Sequence, residues 1–155
     1  DTPRFIGRAG DLYGYPHFVC DAGGSICEVV DPEDPADPVL SVLERHLLMV
    51  WIEGTAAHTA DLIARFDRAP KPMYYQPAFL AAAWADYLAL HNQTEGQVDP
   101  DAFVRWTYAR ALAHRQPRYA AMARRGVTVQ ADEVAQVRDA AGFGDLIARA
   151  IARRA

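Results

Sequence analysis

The chain has 155 residues, 51% of them hydrophobic and 23% charged, with a net charge of -4. That profile describes one globular domain large enough for a core; it leaves no basic footprint for nucleic acid and no apolar run near the roughly 20 residues a bilayer-crossing helix needs. No signal peptide and no CxxC or HExxH metal spacing is visible, and two cysteines, Cys20 and Cys27, do not make a disulfide framework, so the expected setting is the reducing cytoplasm.

Residues 1–16 are rich in Gly, Pro and Tyr without a clear period and read as loop with one helical turn. "HFVC" (17–20) reads as a short buried strand, and "SICEVV" (25–30) as strand or loop. The Asp-Pro pairs of "DPEDPADP" (31–38) oppose helix at each residue before Pro, so this is a turn-rich connection. Asp37 then caps, and Pro38 opens, a helix over 38–46. "LLMVWIE" (47–53) is the strongest strand signal, apolar enough to be covered on both faces as in a parallel sheet. Thr55 is placed to cap a helix over 56–67, with Leu62, Ile63 and Phe66 on one side. "DRAPKPMYYQP" (67–77) is irregular, and a long helix follows over 78–91. After a loop, Asp99-Pro100 opens a helix over 100–114, and a separate short helix is expected at 117–124. "GVTVQA" (126–131) is a strand, and residues 132–153 are helical with a break near Gly142 and Gly144.

Strands alternating with helices predict an α/β fold: a three-layer α/β/α arrangement on a mostly parallel sheet, in one domain over 1–155 with a helical insert at 78–114. Ligands bind such sheets at the carboxyl ends of the strands. Asp21 directly follows an expected strand, where a carboxylate can hold Mg²⁺ through water or accept a proton from a hydroxyl. Gly23 and Gly24 beside it allow close backbone approach, although Asp-x-Gly is also an ordinary turn. Arg65, Arg68 and Lys71, the only lysine, surround a helix end and a proline-rich loop; they suit a lid over phosphates as well as a solvated helix terminus. In "RQPRY", Arg115 and Arg118 bracket Pro117, either as a fork for an anion or as a helix boundary. The five histidines share no metal or triad spacing. Cys20 reads as a small buried strand residue.

The order of these pieces resembles the P-loop small-molecule kinases, most like the shikimate and gluconate kinase group. It runs from a strand before Gly-Gly through "VWIEG", an arginine-ended helix, an Arg/Lys-Pro loop, "R-x-P-x-Y" and a "VTV" strand to a final helix. The resemblance covers roughly residues 17–153 and implies the larger part of an ATP-dependent kinase or NTPase, acting with ATP and Mg²⁺ on a small molecule. By the resemblance, Asp21, Arg68 and Lys71 would be catalytic, with Asp21 serving Mg²⁺ through water. Gly23, Gly24, Ser25, Arg65 and Arg115 would meet the substrate, and Arg118, Gln130 and Asp132 the nucleotide. The phosphate-cradling G-x-x-x-x-G-K-[ST] loop does not occur within these residues, so the domain is expected to be incomplete at its N-terminus. The alternative is a non-catalytic α/β module that binds a ligand or a protein, with the aromatic insert as its surface. Oligomeric state is not legible.

Overall fold

A computed structural model describes residues 1–154. The order is α1 (Thr2–Tyr13), a 3-10 turn (Gly24–Glu28), α2 (Pro38–His46), β1 (Val50–Glu53), α3 (Ala56–Arg68), α4 (Pro77–His91), a second 3-10 turn (Glu95–Gln97), α5 (Pro100–Ala123), β2 (Val127–Gln130), α6 (Ala131–Ala135) and α7 (Ala140–Arg154). The fold is mixed α/β and mainly helical. Its sheet is a parallel pair, β1 with β2, in the register Val50↔Val127 to Glu53↔Gln130. A parallel pair needs a long crossover, and here α3, α4 and α5 supply it.

The local signals act where tertiary packing agrees with them. Asp37 caps α2, its Oδ1 accepting from the N–H groups of Val39 and Leu40 at 2.9 and 2.8 Å while Oδ2 accepts from Asp31 at 2.9 Å. Thr55 caps α3 in a reciprocal box with His58. Val127, Val129, Leu146 and Ala150 form the core between β2 and α7, joined by Val50, Val134, Val137 and Ile147. Where β2 begins, Gly126 is needed for space: a Cβ there would stand 2.0 Å from the Met49 carbonyl oxygen. That carbonyl accepts the first bond of the pair, from Val127 N–H at 2.9 Å. Bonding alternates along a parallel ladder, so the peptide groups of Val50 and Ile52 point away from β2.

Several expectations are corrected. Residues 2–13 are helix: Pro3 lies in the first turn and Gly14 closes the helix at φ 61, signals hidden by Gly7 and Gly10 inside it. "HFVC" forms no strand, because no neighbour offers a ladder to its backbone groups. Val19 is 84% exposed, and Cys20 is exposed whereas Cys27 is buried. β1 is shorter than the apolar run and is not covered on both faces, with Ile52 50% exposed. Helices expected at 100–114 and 117–124 are one helix, since Pro117 removes one N–H and sits on the exposed side. The break in the tail falls before α7, not at its glycines: Asp139 Oδ1 accepts from Gly142 N–H at 2.8 Å and starts the helix there. No helix among the described residues is long and apolar enough to cross a membrane.

Candidate functional site

The glycine-rich stretch is a turn gripped by α5. Asp21 Oδ1 accepts the Gly23 N–H at 2.9 Å, and Gly23 takes φ 63, a left-handed value that glycine adopts without a Cβ penalty. The following 3-10 turn carries backbone carbonyls outward, and three side chains of "RQPRY" meet this segment. The Tyr119 hydroxyl donates to the Gly24 carbonyl at 2.9 Å. Arg118 donates to the carbonyls of Cys27 and Val30 at 2.7 and 2.8 Å. Arg115 donates from Nε to Glu28 Oε1 at 2.6 Å and from Nη2 to the Tyr74 carbonyl at 2.8 Å. Gln76 adds a bond from its amide to the Glu28 carbonyl. Residues 24–30 are thereby fixed to a helix some ninety positions further along the chain.

The electrostatics follow from that burial. Arg115 and Glu28 side chains are 5% and 1% exposed, so this is a desolvated ion pair. Burial alone would pull the Arg115 guanidinium down, but the hydrogen bond and charge of Glu28 outweigh it and the net shift is upward. Burial pushes the Tyr119 phenol up to about 12, reinforced by Cys27 beside it, so its hydroxyl remains a donor. Burial also raises the Cys27 thiol, which makes it a poor nucleophile. Among the described residues, Glu28 Oε2 is buried without a hydrogen-bond partner.

At the carboxyl ends of the strands, side chains from both following loops interlock. Gln130 donates from Nε2 to Glu53 Oε2 at 2.8 Å, joining the last residues of β2 and β1. Glu133 Oε2 accepts the Gln130 N–H at 3.0 Å and pairs with Arg153 of α7 through Oε1 at 3.1 Å. His58 Nδ1 accepts from Thr55 N–H at 3.0 Å, which leaves the ring proton on Nε2, 3.4 Å from Asp132 Oδ1.

Beside this edge an open cleft of about 620 Å³ lies between the end of β1, α3 and α5. Its lining combines apolar Trp51, Ile52, Leu62 and Leu112 with Arg65, Arg68 and Asp61 of α3 and Gln116 and Tyr119 of α5. Phe66 stacked on Tyr108 at 3.9 Å holds α3 against α5. Neither Arg65 nor Arg68 has an ion-pair or hydrogen-bond partner among the described residues, so both are free to neutralise an anionic group. A smaller surface hollow of about 400 Å³ lies beside Glu33, Glu44, Arg124 and Arg125, which pair with one another at 2.7 and 3.3 Å.

The residues singled out from sequence therefore divide. Arg65 and Arg68 line the cleft; Lys71 lies exposed in the irregular segment beyond α3 and is not part of its wall. Gly24 reaches the cleft indirectly, through Tyr119; Asp21, Gly23 and Ser25 are exposed around that turn rather than at a strand end. Arg115 and Arg118 are engaged inside the chain, and Gln130 and Asp132 tie the two edge loops. Sequence reasoning gave no role to Glu28, His58, Gln116 or Tyr119. A lone carboxylate in the apolar run "SICEVV" was the available signal for a buried ion pair, and Gln116 and Tyr119 one helical turn apart in "RQPRY" the signal for a shared face. No group of three or more His, Cys, Asp or Glu able to hold a metal occurs among the described residues. No family model, no curated protein and no solved structure matches the chain.

Proposed function

We propose that this chain is the larger part of a P-loop-class kinase or NTPase that transfers the terminal phosphoryl group of ATP, to a small molecule or to water, in the cytoplasm. The observation that carries the reading is the placement of the cleft. It opens at the carboxyl edge of two adjacent parallel strands, where α/β sheets bind ligands, and two unpartnered arginines face it. Arg65 and Arg68 offset negative charge on the phosphates; Gln116 and Tyr119 offer polar contacts; Gln130 and Asp132 hold the loops against which a base would lie. Asp21 stands outside the cleft wall, in the exposed turn next to the one that Tyr119 holds; the Mg²⁺ role rests on the resemblance alone and would fall to the carboxylate oxygen not engaged by Gly23 N–H. When bound, Mg·ATP supplies the phosphoryl group and the charge that screens it.

The residues present fit the lid side of such a site. They do not include the backbone cradle and lysine for the phosphates, so the reading requires a G-x-x-x-x-G-K-[ST] loop outside residues 1–155. It also expects a three-layer sheet, with further strands on the free edge of β1 presented by Val50 and Ile52. The direct test is thermal shift with Mg·ATP and Mg·GTP on the longest natural chain, wild type against Asp21→Asn. Stabilisation by one nucleotide that Asp21→Asn diminishes supports the reading; no stabilisation by either, in a chain that carries the phosphate loop, ends it.

One observation favours the alternative, a ligand- or protein-binding α/β module. α4 is apolar around its whole circumference yet buries only Ala83 and Tyr87. Its Trp84 and Tyr87 join Phe103 and Trp106 of α5 in an aromatic cluster, and Leu90 stays 64% exposed.

A further inference from the structure

Tyr119 belongs to two structures at once. It lines the cleft, and its hydroxyl donates to the Gly24 carbonyl at 2.9 Å. A Cβ on Gly24 would stand 2.7 Å from that hydroxyl oxygen, so a side chain at position 24 would push the hydroxyl off the carbonyl. Cys27 Sγ shares the same carbonyl at 3.2 Å, and Arg118 on the next helical position fixes the far end of the turn. The segment upstream of Gly23 has no comparable attachment: Asp21 bonds only within its own turn, and residues 15–22 have no regular structure. Tyr119 is thus the contact through which the contents of the cleft bear on the position of Gly24 and of the Asp21 turn just before it.

We propose that Tyr119 is a positioning residue that couples occupancy of the cleft to the order of the Gly23–Glu28 turn. A group filling the cleft restricts the Tyr119 ring, and the ring restricts the turn. By linkage, loosening the turn weakens whatever the cleft binds by the same factor. This rests on the cleft being the ligand site, but not on ATP or phosphoryl transfer.

The test fills the cleft without a ligand. Leu62 and Ile52 line the cleft and are 37% and 50% exposed, so Leu62→Trp or Ile52→Trp adds a ring to the groove without opening the core. Acrylamide quenching, taken as the difference from the parent protein because Trp51, Trp84 and Trp106 also fluoresce, selects the variant whose added ring is seated. The readout is amide hydrogen exchange at Ile26 and Val29, whose N–H groups bond to Gly23 and Ile26 carbonyls. With Tyr119 present, the seated indole is expected to slow exchange at least threefold. In the Tyr119→Phe background, which keeps the ring and removes the hydroxyl, it is expected to change exchange by less than about twofold, the margin within which independent sites add. Gly24→Ala, which displaces the hydroxyl from the other side, is expected to abolish the effect in the same way. Equal slowing with and without the hydroxyl overturns the coupling, as does unchanged exchange with a seated indole. None of these outcomes involves nucleotide, so a failure here is separate from a failure of the kinase reading.

Discussion

Replacing Arg115 with alanine separates the two roles available to this arginine, a partner for substrate or a fixed part of the fold. The guanidinium is buried against Glu28 at 2.6 Å and also donates to the Tyr74 carbonyl at 2.8 Å. Arg115→Ala leaves the Glu28 carboxylate, 1% exposed, with no counter-charge, and Oε2 of that carboxylate already lacks a partner. Breaking one side of a buried pair costs about 3–5 kcal/mol. That is a large part of the roughly 5–15 kcal/mol that holds a domain folded, and in a chain of this size it lowers the melting temperature by about 6–20 °C. The assay is urea unfolding followed by circular dichroism, with calorimetry for the melting temperature. A paired change, Glu28→Met with Arg115→Met, removes both charges and keeps apolar volume; it is expected to restore most of the loss, because apolar replacement of a buried pair is often neutral or better. A cost below about 1 kcal/mol for Arg115→Ala, the range of an exposed pair, would refute the reasoning and return Arg115 to the substrate.

Three further outcomes are expected. Gly126→Ala drives a methyl to within 2.0 Å of the Met49 carbonyl oxygen, against main chain that cannot swing away; it should cost about 3 kcal/mol or more by urea midpoint, at the upper end of overpacking. The N–H groups of Leu40, Asp31 and Val39 hold the Asp37 carboxyl below its ordinary value. A depressed folded pKa means that its stabilisation is complete above the unfolded value and is lost as pH falls below about 4. Asp37→Asn, which keeps an oxygen acceptor at the cap, should therefore flatten the acid limb of melting temperature against pH. With Ellman's reagent, the native protein should show one fast thiol, Cys20, and a second, Cys27, only on unfolding; two fast thiols would contradict the buried environment of Cys27.

What the sequence revealed is what neighbouring residues decide. Asp37-Pro38 and Thr55 specify helix starts through bonds within three residues, and α2 and α3 begin where those signals stand. "VWIE" and "VTVQ" are strand-like by composition and pair in parallel because they can cover each other with α7 across β2. "HFVC" has the same composition and forms no strand, since a strand exists only beside another and this one meets no free edge. The grip of α5 on residues 24–30 was illegible for a related reason. Arg115, Arg118 and Tyr119 look like groups for a ligand, and only the fold brings the Glu28 carboxylate to Arg115 and the carbonyls of Cys27, Val30 and Gly24 to Arg118 and Tyr119, all within 3 Å. Arg65 and Arg68 were legible as candidates because they cluster at a helix end before a proline-rich loop; that Asp61, one turn before Arg65, shares the cleft wall with them was not.

The cleft lined by those two arginines is proposed to take the phosphates of Mg·ATP. Isothermal titration of the longest natural chain with Mg·ATP, wild type against the Arg65→Ala, Arg68→Ala double variant, measures it directly. Both side chains are exposed, so the double variant should fold with little change in melting temperature. Saturable binding by the wild type is expected, with a dissociation constant at least tenfold larger in the variant, about 1.4 kcal/mol. Equal affinity in the two proteins, or no binding by a chain that contains the phosphate loop, would contradict it.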